Sequence, residues 1–126
     1  MIASPRLLSA LAALVLAGAV AMGAFGAHAL KGRLDAYAFS VYDKAVFYQF
    51  IHALGMLLVL ALPGLQPERQ SAIALVFFGG IIIFSGSLYA IALTGVRTFG
   101  AITPFGGTGF IIGWLWLAWS LWRQGA

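Results

Sequence analysis

The sequence has no cysteine and very little charge: 7 basic and 3 acidic side chains make up 8% of its 126 residues. The missing cysteine excludes disulfides, iron–sulfur clusters and thiolate metal sites. The scarcity of charge, beside 63% hydrophobic residues, excludes an ordinary soluble domain, which averages roughly 25% charged and about 45–50% apolar residues. The net charge of +4 is scattered rather than gathered on one face. That is not the footprint of a nucleic-acid-binding protein; it suits loops that face anionic lipid headgroups. Catalytic motifs are missing as well. The three acids, Asp35, Asp43 and Glu68, fall in connections and form no pair within a span, and there is no GxSxG, HExxH or P-loop. No enzyme is expected.

What is present is long apolar sequence. Four runs, 7–26, 45–62, 72–93 and 104–122, approach or exceed the ~20 residues that a helix needs to cross a bilayer. They lack the alternation of the ~10-residue strands of a membrane barrel, so the spans are helical. The start of the chain imitates a signal peptide, with Arg6, an apolar run and a small-x-small site at Ala27-His28-Ala29. The run exceeds the roughly 7–15 residues of a signal core, and it is expected to stay as the first helix. The predicted fold is all-α, a single domain over 1–126: an integral membrane antiparallel four-helix bundle with a short interfacial segment after helix 1.

That segment is residues 30–44. Leu34, Tyr37, Ala38 and Val41 recur at helical spacing and Lys31, Arg33 and Asp35 lie at one end, which predicts an amphipathic helix at the interface; a plain loop is the alternative. Residues 63–70, with Pro63 and Pro67, form a turn, and residues 94–103 form a short link carrying Arg97. No internal repeat supports an inverted-repeat transporter. The basic residues divide almost evenly between the two sides: Arg6, Arg69 and Arg123 against Lys31, Arg33, Lys44 and Arg97. The early Arg6 and the terminal amine tilt the orientation toward cytoplasmic termini.

Helices in lipid pack through small residues. Ala13, Ala17 and Ala21, then Gly79, Gly80 and Gly86, then the GxxxG pair Gly109 and Gly113 are candidates for bundle packing or for a homo-oligomer face. Trp119 and Trp122 beside Arg123 fit an interfacial aromatic belt, with Trp114 and Trp116 deeper.

The polar residues converge. In an antiparallel path, His28 at the end of helix 1, Tyr48, Gln49 and His52 early in helix 2, Ser85, Ser87 and Tyr89 late in helix 3, and Thr103 at the start of helix 4 share one leaflet. Tyr48, Gln49 and His52 are spaced to share a helix face. Such a cluster either locks the helices together or forms a small-molecule, lipid or proton site. The two histidines also raise a metal or haem site, weakened because His52 should lie about two turns deeper than His28. The opposite end, around residues 63–70, holds little beyond a turn.

Four segments are similar to one family: Gly23-Ala24-Phe25-Gly26-Ala27-His28-Ala29-Leu30, Tyr48-Gln49-Phe50-Ile51-His52-Ala53-Leu54-Gly55, Phe84-Ser85-Gly86-Ser87-Leu88-Tyr89 and Ile102-Thr103-Pro104-Phe105-Gly106-Gly107. The chain resembles the small bacterial membrane proteins of the domain of unknown function 423, similar to the eukaryotic transmembrane protein 256 group. The resemblance implies a multi-pass protein of the bacterial inner membrane with no known activity, so it supplies no catalytic residues and no cofactor. The family's histidines correspond to His28 and His52, and its serines to Ser85 and Ser87. The expected function is a non-enzymatic membrane component, in contact with lipids, that associates with itself or with a larger membrane complex. The alternatives are a small transporter, channel or ligand carrier using the polar cluster, and a metal or haem carrier using the two histidines.

Overall fold

The computed structural model describes residues 3–124. Helix α1 spans Pro5–Phe25, α2 Ala36–Ala61, α3 Pro67–Thr94 and α4 Thr103–Gln124. A single π turn, Gly26–Leu30, continues α1, and a 3-10 turn, Arg97–Ala101, precedes α4. All four helices are long and apolar enough to cross a membrane.

Their ends follow from local chemistry. Ser4 Oγ accepts the Leu7 N–H at 3.2 Å, and Pro5 occupies the first turn, where its missing N–H costs nothing. Asp35 Oδ1 accepts the Ala38 N–H at 2.7 Å and so starts α2 at Ala36. Gly95, at φ 75°, stops α3 in a left-handed conformation that glycine adopts without a Cβ clash.

The Asp35 cap corrects one expectation. The amphipathic residues after helix 1 are no separate interfacial helix: residues 36–44 are the first turns of α2, and only 31–35 link the two spans. Nothing in 36–45 breaks a helix, so once capped it runs without interruption for 26 residues. Tyr37, in its first turn, lies under the Arg97 guanidinium at 3.9 Å and ties this end to the α3–α4 link.

The helices form an antiparallel bundle with a central pair. Helices α2 and α3 share the largest interface, α1 packs chiefly on α2, and α4 chiefly on α3. In their most apolar stretches, 44% and 50% of the central helices is buried, against 17% of α1 and 22% of α4. The outer helices therefore present most of their surface to lipid.

Glycine sets the α3–α4 distance. A Cβ on Gly106 would fall 2.5 Å from the Phe84 backbone nitrogen, and one on Gly80 or Gly113 would fall 2.6 Å from the ring of Phe110 or Phe77. Gly109 faces the Gly80 Cα. Gly109 and Gly113 thus lie in the α3–α4 contact, where a packing role was expected of them. Gly86, expected to pack likewise, does not, because a Cβ there meets nothing within 4 Å. Ala13, Ala17 and Ala21 are exposed too; α1 packs inward through Leu8, Ala12 and Ala19. Residues spaced by four mark a face, but not which way the face points.

These contacts give opposite expectations for two glycines. Alanine is favoured over glycine in a helix by about 1 kcal/mol. Gly86→Ala, in open space, should be neutral or stabilising by up to about that amount. Gly106→Ala should lose about 1–3 kcal/mol, because a main-chain atom of α3 cannot move aside as a flexible side chain can. Detergent melting of the two variants checks this; equal midpoints would contradict the packing.

Candidate functional site

The predicted polar cluster is divided by the α2–α3 pair rather than gathered into one site. Gln49 and His52, three residues apart on α2, point to different neighbours.

On one side, Tyr89 of α3 donates its hydroxyl hydrogen to Gln49 Oε1 at 2.6 Å, and Gln49 Nε2 donates to the Val15 carbonyl of α1 at 2.9 Å. Gly18 faces the Gln49 amide, and a Cβ there would meet its nitrogen at 3.4 Å, close to an ordinary contact. One turn along α3, Ser85 Oγ donates to the Ala45 carbonyl at 2.7 Å. Gln49, Ser85, Gly86 and Tyr89 line a notch of about 300 Å³ between α1 and α3.

On the other side, the Trp114 indole N–H of α4 donates to His52 Nε2 at 3.0 Å, and His52 Nδ1 lies 2.9 Å from the Tyr48 carbonyl. Indole can only donate, so Nε2 must accept and Nδ1 must carry the proton. His52 is thereby fixed as a neutral imidazole with both nitrogens engaged. Its ring stacks on Phe110 at 3.5 Å between centroids, and Phe77 approaches its edge. Gly55, three residues after His52, leaves room for the Trp114 ring, which a Cβ there would meet at 3.2 Å. Tyr48, His52, Phe84, Phe110 and Trp114 floor a groove of about 530 Å³. Ser87 shares a hydrogen bond with Thr103, joining α3 to the start of α4.

Three expectations need correction. Tyr48, Gln49 and His52 do not share a face: Tyr48 and His52 line the α4 side and Gln49 the α1–α3 side. His28 stands apart from both groups, exposed in the π turn after α1. His52 also lies deeper than expected, about 24 Å along α2 at 1.5 Å per residue. Both of its nitrogens are already bonded, and among the described residues no three His, Asp or Glu side chains gather where a metal could sit.

The third concerns the opposite end, which is more than a turn. Gln70 Nε2 donates to the Leu62 carbonyl at 2.8 Å and satisfies the end of α2. Beside it lies a cavity of about 270 Å³ bordered by Arg69, Trp119 and Arg123. The sequence also gave little warning of Tyr42. Its ring packs on Gly26, and its hydroxyl donates to the Met22 carbonyl at the junction of α1 and the π turn. The available signals were a glycine one turn from each polar partner, Gly18 beside Val15 and Gly55 beside His52, and the four-residue spacing of Phe110 and Trp114.

The family described as "Protein of unknown function (DUF423)" matches residues 22–107. The chain belongs to the DUF423 family. A UPF0382 membrane protein of Staphylococcus saprophyticus is 48% identical over 99 residues, 79% of this chain and 82% of the relative. One from Staphylococcus epidermidis is 50% identical over 97 residues, 77% of this chain and 80% of its own length. The Bacillus subtilis UPF0382 membrane protein YwdK is 42% identical over 103 residues, covering 77% and 80%. No solved structure matches. This DUF423 protein is thus a small multi-pass membrane protein. The family-matched segment holds every polar bridge between helices described above except two partners at its margins, Val15 and Trp114.

The indole bond is directly testable. Trp114→Phe keeps an aromatic ring but strands His52 Nε2, and should destabilise the protein by about 0.5–2 kcal/mol. A melt in detergent measures the loss; an unchanged midpoint would show that the bond contributes nothing.

Proposed function

We propose that this protein is a non-catalytic component of the bacterial inner membrane that associates, through the outward face of α1, with itself or with a larger membrane complex. The observation that carries this reading is the division of labour among its residues. Every polar side chain of the central cluster that bridges helices is spent on holding them together, leaving no acid–base pair or nucleophile poised for chemistry. Meanwhile Ala13, Ala17 and Ala21 form a smooth exposed stripe on the least buried helix, and such stripes let transmembrane helices approach closely.

The chain has no cysteine, so an introduced one is unique. Ala17→Cys in native membranes should give a cross-linked dimer or a heavier adduct, and a second variant carrying Ala13→Leu and Ala21→Leu should lose it. A cross-link-free Ala17→Cys protein would contradict the reading. Arg6 supports a topology with both termini in the cytoplasm. Cysteine at Gly32 should then react with an impermeant reagent in whole cells and cysteine at Ser4 should not; the reverse pattern would invert the topology.

A second reading, a carrier of a lipid-soluble molecule, is favoured by the aromatic groove beside His52. Ile111→Trp would fill that groove without touching the His52 bonds. Loss of a co-purifying small molecule in that variant would favour the carrier, and an identical small-molecule content would dispose of it.

A further inference from the structure

At the end of the bundle where α2 turns into α3 and α4 finishes, two arginines converge on one ring. The guanidinium carbons of Arg69 and Arg123 lie 5.5 and 5.4 Å from the centroid of Trp119. Together with Gln66, Ser120 and Gln124 they line a cavity of about 270 Å³, and among the described residues no acidic side chain lines it.

Arg123 has a local reason to be there, since a cation suits the C-terminal turn of α4. Arg69 has none. It sits in the first turn of α3, where the unsatisfied N–H groups already make the helix end positive. A second cation, Arg123 of α4, lies against the same ring and borders the same cavity. An anion in the cavity would be attracted by both guanidinium groups and by the helix end.

A separate observation points the same way. Ser120 borders the cavity, is 1% exposed, and its hydroxyl has no hydrogen-bond partner among the described residues. Gln66, the residue that precedes α3, makes no side-chain cap to the helix it begins. A buried hydroxyl without a partner among the described residues thus borders the cavity beside the two arginines.

We propose that this cavity binds a phosphate group, and that the group belongs to the headgroup of an anionic phospholipid. Guanidinium matches phosphate with a planar fork of donors. The cavity has room for a headgroup but not for acyl chains, which would run along the outer surface of α4. Trp119 and Trp122, 51% and 81% exposed, are the residue type that settles at headgroup depth. The same chemistry would admit free phosphate, and the experiment separates the two sources.

The full-length protein is reconstituted in nanodiscs of phosphatidylcholine with or without phosphatidylglycerol, and released into native mass spectrometry. Its melting is followed separately in detergent with inorganic phosphate. Wild type is expected to retain one phosphatidylglycerol, with retention reduced at least tenfold in R69Q/R123Q and little changed in R33Q/R97Q at the other end. R69K/R123K, which keeps the charge but not the fork, should fall between and guards against a folding defect. Stabilisation by millimolar phosphate alone, abolished in R69Q/R123Q, would keep the site and assign it to a soluble phosphate. Equal retention by wild type and a folded R69Q/R123Q, with no response to phosphate, would overturn the proposal.

Discussion

The interior of this protein is organised around Gln49. Inside a bilayer no water is at hand to satisfy an amide, so each of its polar atoms needs a protein partner. Gln49 finds them in opposite directions: its oxygen accepts from Tyr89 on α3 and its nitrogen donates to a main-chain carbonyl on α1. One side chain thereby couples three helices. The remaining bridges obey the same constraint on single pairs: Ser85 from α3 to α2, Ser87 with Thr103 from α3 to α4, Tyr42 from α2 to α1, and His52 with Trp114 from α2 to α4. Lipid tails are as apolar as leucine and provide little hydrophobic drive between helices, so these bonds and close packing must hold the bundle.

Close packing and hydrogen bonding depend on each other through glycine. Gly18 faces the Gln49 amide, Gly55 makes room for the Trp114 ring, and Gly26 receives the face of Tyr42. Between α3 and α4, beside the Ser87–Thr103 bond, Gly80, Gly106 and Gly113 bring the backbone of one helix against a ring or the backbone of the other. The outer helices α1 and α4 are drawn onto the central pair in this way and leave their remaining faces to the membrane.

Much of this was legible in the sequence. Composition and four long apolar runs suffice for a membrane bundle, and four short motifs suffice for the family. The spacing of Tyr48, Gln49 and His52 located the right helix but not the division of its faces, because i, i+3 and i, i+4 neighbours straddle an arc wide enough to meet different helices. The interfacial helix was misjudged because hydropathy weighs Asp43 and Lys44 as the edge of a span, whereas a helix ends only where capping and backbone dictate. The alanine stripe of α1 suits bundle packing and an oligomer face equally in sequence, because periodicity carries no direction. Trp114 was recognisable as deep, but its bond to His52 is a contact 62 residues away in sequence, which no local pattern encodes. The arginine pair on Trp119 was hidden for the same reason.

The central claim is that polar bridges, with Gln49 at their junction, hold the helices together. A double-mutant cycle on Gln49→Leu and Tyr89→Phe, by reversible unfolding in lipid bicelles, tests it most directly. The account predicts a coupling energy of about 0.5–2 kcal/mol between the two positions. Strictly additive losses, with no coupling, would contradict it.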